Sequence, residues 1–191
     1  MKPAIAILSV GIKREEDVLL ARGRGREIGK FLGFSTGDLT RVTTALSEIA
    51  RNAFEYGGGG RVTFAVESQS PGRQALVIRV IDQGPGIPDV DAVLSPDFHS
   101  RTGMGIGVRG SKGLMDSFTI TSTNGHGTTV TMAKALPWSE RSFGANDAER
   151  LAAALAASVE ATPLGEMQSQ NQVLLNTLQE LTERQAEVER L

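Results

Sequence analysis

No cysteine occurs in the 191 residues, which excludes a disulfide scaffold, a thiolate metal site and a cysteine nucleophile. Histidine is nearly as scarce: with only His99 and His126, a metal cluster built on imidazoles is not expected. Aromatic residues make up 5% of the chain, so any core must be aliphatic. No apolar run approaches the ~18 residues that span a bilayer. The apolar stretch Ala4–Ile12 could pass for the middle of a signal peptide. It is followed, however, by Lys13-Arg14-Glu15-Glu16-Asp17 and by no small-residue cleavage site. It reads as a first strand of a cytoplasmic protein with no membrane partner. Strong charge of either sign is missing too, the net charge being −2. Residues 1–138 hold 16 Lys and Arg against 13 Asp and Glu, and residues 139–191 hold 4 against 9. Neither part carries the basic stripe of a nucleic-acid binder, so no nucleic-acid partner is expected.

What the chain does have is 40% hydrophobic residues, enough for a core, and 22 glycines, well above the usual ~7%. Many of these glycines fall in residues 57–60 and 103–113, where clustering asks for a backbone explanation. Glu15–Phe31 alternates charged residues with Val18, Leu19, Ile28 and Phe31 and predicts an amphipathic helix, weakened by Gly23 and Gly25 and stopped by Gly33. Ser35 or Thr36 then caps a second helix over residues 38–56, where Leu39, Val42, Ala45, Leu46, Ile49, Ala50 and Ala53 recur at three- and four-residue spacing. Residues 61–67 and 75–82 predict strands around the turn Ser70-Pro71-Gly72. Residues 105–115 predict a helix, and residues 118–122 and 128–133 two strands around Asn124-Gly125. The order predicts an α+β protein, a two-layer α/β sandwich with a mixed sheet covered by helices on one face.

Composition changes after Pro137-Trp138. Residues 1–137 read as one domain and residues 138–165 as a linker carrying an Ala-rich helix capped by Asn146 or Asp147. Residues 166–191 read as a coiled-coil helix. There Met167, Asn171, Leu174, Leu178, Leu181, Gln185 and Val188 follow an alternating four- and three-residue spacing, a heptad seam about three repeats long. A homodimer through this C-terminal helix is expected; the alternative is an amphipathic helix packed on its own domain. The pattern reaches Leu191 with no stop signal, as in a piece cut from a longer protein.

Three segments carry chemistry. In Glu48-Ile49-Ala50-Arg51-Asn52 the i, i+4 spacing puts Glu48 and Asn52 on one helix face beside apolar Ala45 and Ile49. Burying a carboxylate and an amide costs several kcal/mol unless each finds a partner. An ion or a ligand supplies one; a mutually satisfied pair at a helix border is the alternative. In Asp82-Gln83-Gly84-Pro85-Gly86-Ile87-Pro88 an acceptor at a strand end precedes a turn that lets a ligand approach the backbone. A purine's exocyclic amine is a natural donor to Asp82; an ordinary turn cap is the alternative. In residues 101–113, glycines at 103, 105 and 107 leave backbone N–H groups open just before a helix start, a place suited to an anion, with Arg101, Arg109 and Lys112 nearby. The segment is neither a Walker P-loop nor a dinucleotide fingerprint; a mobile glycine loop is the alternative.

Taken together, Glu48 and Asn52, then Asp82-x-Gly-x-Gly, then Gly103-x-Gly-x-Gly, then Gly127-Thr128, resemble the GHKL ATP-binding (Bergerat) fold. Within it the chain is most similar to anti-sigma-factor serine kinases of the RsbT/RsbW type, over roughly residues 10–136, in stretches such as DQGPGIPD and GMGIGVRGSKGLMD. The resemblance implies a set of roles. Asn52 would ligate Mg²⁺ and Glu48 would act as general base. Asp82 would accept from the adenine amine, helped by Thr128 through water, with Thr129 the substitute. Gly84, Gly86 and Ile87 would shape the adenine pocket. Gly103, Met104, Gly105, Ile106 and Gly107 would form a phosphate lid joined by Lys112, and Arg101 before it would contact the γ-phosphate or sense the partner. Two positions depart from the RsbT-like pattern: Arg109 stands where proline is usual, and Gly113 where a second basic residue is.

The function implied is a Mg²⁺- and ATP-dependent serine/threonine protein kinase acting on a STAS-domain antagonist protein, with a phosphatase or sigma-pathway protein as a further partner. A second reading is a nucleotide-gated binding module with little catalysis. A third is the ATP-binding part of a sensor histidine kinase, for which the helices before and after Glu48 lack the phosphoacceptor histidine.

Overall fold

In the computed structural model, residues 4–95, 107–137 and 142–158 are described. Their elements run β1 (Ala4–Ile12), α1 (Glu15–Phe31), α2 (Thr36–Glu55), β2 (Gly60–Ser70), β3 (Arg73–Asp82), α3 (Val90–Leu94), α4 (Gly107–Leu114), β4 (Ser117–Thr123), β5 (Gly127–Ala135) and α5 (Ala145–Ala157). The heptad segment lies outside the described residues.

Local chemistry sets the helix starts. Asp17 Oδ2 accepts from the Lys13 and Arg14 N–H groups, both at 2.9 Å, which satisfies donors that the first turn of α1 leaves open. Ser35 is the cap of α2, its Oγ accepting from Asp38 N–H at 3.1 Å. The glycines that weaken α1 as an isolated helix serve its packing. A Cβ on Gly25 would stand 2.7 Å from Leu46 Cδ2, and one on Gly29 2.6 Å from Leu39 Cδ2, so a side chain at either position would displace the leucine that packs over it.

The sheet has the order β1-β2-β3-β5-β4. Every pairing is antiparallel, which corrects the mixed sheet expected from the sequence. The reason lies in the connections. Two helices separate β1 from β2, so the chain returns to the same end of the sheet and comes back antiparallel, where a single helix would have made a parallel pair. The connection from β3 to β4, through α3 and α4, does bring back a strand of the same direction, but β5 is inserted between them and is antiparallel to both.

Register aligns the core. Val10, Val62, Val80, Val130 and Ile120 form one row across all five strands, facing the helices with Phe64, Leu76, Ile78 and Met132. Onto this face α2 places Val42, Leu46 and Ile49, and α1 places Val18 and Ile28.

Residues 142–158, expected as linker, join the same core. Phe143, Leu151 and Leu155 are buried in it. The Gln74 side chain clamps Phe143, accepting from its N–H at 2.7 Å and donating to its carbonyl at 3.0 Å. Arg24 Nη1 donates to the Leu155 carbonyl at 2.6 Å. The cap of α5 is Gly144, and Asp147 sits inside the helix, its Oδ2 accepting from Gly144 N–H at 2.9 Å. Leu151→Ala therefore costs about 2–4 kcal/mol of unfolding free energy in urea titration, as core truncations do, where a linker position would cost less than about 0.5 kcal/mol.

Candidate functional site

The apolar run of β3 ends at Asp82, and the chain turns there through Gly84-Pro85-Gly86. Asp82 Oδ1 accepts from Gly84 N–H at 2.9 Å and from Thr128 N–H at 3.2 Å. Among the described residues no donor reaches Oδ2. The carboxylate is thus held by backbone through one oxygen and offers the other as an acceptor. Close backbone approach makes room for it. A Cβ on Gly57 would stand 2.5 Å from Asp82 Cβ, and one on Gly84 2.5 Å from Gly57 Cα, so the end of α2 and the turn after β3 meet without side chains between them. Gly127 has φ +90, and a Cβ there would strike the Asp82 carbonyl oxygen.

Ser122 completes this end of the site and has no place in the sequence reading. Its Oγ accepts from Ile87 N–H at 2.7 Å, and lies 3.1 Å from the Gly127 carbonyl and 2.9 Å from Thr128 Oγ1. Ser122 has one proton and the Gly127 carbonyl can only accept, so Ser122 donates there and Thr128 Oγ1 donates to Ser122. That leaves the lone pairs of Thr128 Oγ1 as acceptors beside Asp82. The signal available in the sequence was the two-fold alternation around Asn124-Gly125, which pairs Ser122 with Thr128. The same alternation turns Thr129 to the opposite face of the sheet, where its neighbours across the ladder are Ile81 and Thr121.

The second end of the site lies along α2. Glu48 is 8% exposed, and Asn52, one turn further on, is half-buried. Among the described residues the Asn52 amide has no hydrogen-bond partner. The Glu48 carboxylate accepts from the Gly107 N–H at the start of α4. Burial raises its pKa above the ordinary glutamate value, opposed by the charge of Arg51 and the Gly107 hydrogen bond and assisted by Glu55. From Glu48 to Gly57 the helix path is about 13 Å at 1.5 Å per residue. An acceptor for an amine therefore stands at one end of this row, and a buried carboxylate beside a backbone N–H at the other.

Helix α4 carries the remaining predicted positions. The fully buried Ser111 donates to the Gly107 carbonyl at 3.0 Å. Lys112 lies exposed in the last turn, at the far end of α4 from Gly107. Arg109 and Gly113 are also exposed, and a side chain at Gly113 would meet nothing within 4 Å. Arg101, Gly103, Met104, Gly105 and Ile106 lie outside the described residues.

Comparison with known proteins identifies the family. Residues 14–134 match the histidine kinase-like ATPase domain. The chain is 42% identical over 129 residues to the serine/threonine-protein kinase RsbT of Bacillus subtilis (strain 168), covering 68% of this chain and 94% of that one. It is 30% identical over 102 residues to an anti-sigma F factor of Thermoanaerobacter sp. (strain X514), covering 51% of this chain and 70% of the relative. To the anti-sigma F factor of Clostridium novyi (strain NT) it is 33% identical over 103 residues, covering 52% and 72%. The chain belongs to the histidine kinase-like ATPase family, the GHKL fold, and within it to the RsbT/RsbW-like serine/threonine kinases.

The raised pKa of Glu48 has a thermodynamic consequence. Its folded-state pKa lies above the ordinary value of 4.5, so the native state holds the proton longer than the unfolded chain does. Stability contributed at this site falls as pH rises from 4.5 through the folded-state pKa. Glu48→Gln keeps an acceptor for Gly107 N–H and removes the charge. The variant melts higher than the parent at pH 7, and the difference closes as pH falls toward 4.5; calorimetric melting across pH checks this.

Proposed function

We propose that the chain is a Mg²⁺- and ATP-dependent protein kinase of the partner-switching type, transferring the γ-phosphoryl group to a Ser or Thr of a STAS-domain protein in the cytoplasm. The observation that carries this reading is the row along α2: a buried carboxylate at Glu48 and an amide at Asn52 with no partner among the described residues, ending against a carboxylate at Asp82 whose Oδ1 is held by backbone. The family supplies the context. One relative is named a serine/threonine-protein kinase and others anti-sigma factors, which supports sigma-pathway proteins as partners. Among the described residues no helix is long and apolar enough to cross a membrane.

In this reading Asp82 Oδ2 accepts from the adenine amine and Thr128 Oγ1 accepts through a water, while Gly84, Gly86 and Ile87 wall the ring. The Asn52 amide oxygen would hold Mg²⁺ together with the bound nucleotide's phosphates. Among the described residues no three acidic or histidine side chains gather to hold a metal. Bound there, the ion would neutralise charge developing on the transferred group. Glu48 takes the proton of the incoming Ser or Thr hydroxyl as its oxygen bonds to the γ-phosphorus and the bond to the β-phosphate oxygen breaks, releasing ADP. The environment that raises the Glu48 pKa suits a base that must both take and release a proton. Residues 103–107, with Lys112 and Arg101, are proposed to cover the triphosphate.

Incubation with Mg²⁺, [γ-³²P]ATP and candidate STAS-domain proteins tests the reading. The parent labels a Ser or Thr of the partner. Asn52→Ala abolishes labelling, and Glu48→Gln still binds nucleotide by calorimetry but transfers about 10²- to 10⁴-fold more slowly, as loss of a general base does. Asp82→Asn weakens nucleotide binding itself. Tight ATP binding with no transfer to any such partner, and a shifted partner activity nonetheless, replaces the kinase with the nucleotide-gated binding module.

A further inference from the structure

The direction of the hydrogen bonds around Ser122 decides what the Asp82 end of the site can offer a base. Ser122 Oγ has three neighbours: the Ile87 N–H at 2.7 Å, the Gly127 carbonyl at 3.1 Å and Thr128 Oγ1 at 2.9 Å. A hydroxyl has one proton and two lone pairs. The proton goes to the carbonyl, and the lone pairs take the Ile87 N–H and the Thr128 hydroxyl, so Ser122 is saturated. The Thr128 proton is thereby committed to Ser122. Thr128 itself is 8% exposed, and its N–H is committed as well, donating to Asp82 Oδ1 at 3.2 Å. The N–H groups of Gly84 and Ile87, in the turn after Asp82, are spent on Asp82 Oδ1 and on Ser122. What the pair Asp82 and Thr128 presents is therefore acceptors alone: Asp82 Oδ2 and the lone pairs of Thr128 Oγ1.

We infer that Ser122 is a specificity-determining positioning residue: by holding the Thr128 proton it makes the site take purines with an exocyclic amine and reject those with a carbonyl in its place. The inference rests on the nucleotide reading above, in which the base meets Asp82 and Thr128, and adds to it a residue that acts through Thr128. An amine aimed at this edge finds acceptors for its protons, whereas a carbonyl finds lone pairs facing its own. Asp82 by itself favours the amine. A free Thr128 hydroxyl beside it would blur the choice, because it would turn and donate to a carbonyl. Ser122 removes that freedom. The same serine also holds Ile87, and the two contacts have separable effects. Loss of the Ile87 contact loosens the turn after Asp82 and weakens every nucleotide alike. Loss of the Thr128 contact changes the ratio between nucleotides.

Calorimetric titration of the full chain with ADP and with inosine diphosphate, both with Mg²⁺, reads that ratio. Inosine diphosphate carries a carbonyl where ADP has its amine. The parent binds ADP the more tightly. In Ser122→Ala this preference falls about 2- to 10-fold, the worth of one neutral hydrogen bond, whatever change the two affinities share. Ser122→Thr keeps the hydroxyl and keeps the parent ratio. Ser122→Val, of the same shape as threonine and suited to a strand, repeats the fall. In a Thr128→Val background there is no proton to redirect, and Ser122→Ala leaves the ratio unchanged. A kept ratio in the two hydroxyl-free variants, or loss of both nucleotides in them alike, makes Ser122 a structural residue only and overturns the inference. An equal fall in the Thr128→Val background overturns it too, as does a parent that binds both nucleotides equally. In those cases Asp82→Asn still weakens ADP binding and the nucleotide reading stands. A parent that binds neither nucleotide overturns both.

Discussion

The architecture depends on one carboxylate being gripped by backbone. Asp82 Oδ1 binds the N–H of Gly84 in the turn that follows it and the N–H of Thr128 on β5, so the end of β3 is joined to a strand 46 residues later. Glycines at 57, 84 and 127 are what let the main chain come this close. A side chain at any of them would separate α2, the turn or β5 from Asp82. Three of the 22 glycines are therefore a geometric requirement of a single acidic side chain.

Glu48 shows the opposite economy. It is buried where its charge is costly, and its supports, the Gly107 N–H and the charge of Arg51, offset burial only in part. A buried carboxylate with a raised pKa is a candidate functional group. The carboxylate also ties the start of α4 to the middle of α2, so whatever occupies Glu48 bears on the position of Gly107, the first described residue after the glycine-rich segment.

The sequence was most readable where one period dominates. The apolar spacing of residues 39–53 and the stop at Gly33 define α1 and α2, and the two-fold alternation around Asn124-Gly125 defines β4 and β5. Strand direction was not readable, because it depends on how many helices intervene between paired strands and not on any strand's own residues. The role of residues 142–158 was hidden for a different reason: an Ala-rich helix with two leucines looks alike as linker or as core, and Gln74, which clamps Phe143, is 69 residues away. The short α3 escaped because five residues carry no period. At the site, the residue types of Glu48, Asn52 and Asp82 were legible from spacing and turn chemistry. Ser122 was not, since a serine in a Thr-rich strand gives no sign of the four-way network it makes with Ile87, Gly127 and Thr128.

The pairing of β1 with β2 slips by one residue between Ala6 and Leu8. The apolar positions of β1 change phase at that point, from Ile5 and Ile7 to Leu8, Val10 and Ile12, and the extra residue lets Ile5 and Leu8 both face inward. A bulge also twists the outer rim of the strand out of line with any incoming backbone. The phase error that would otherwise turn half the strand outward thus guards the rim against runaway strand addition by neighbouring molecules.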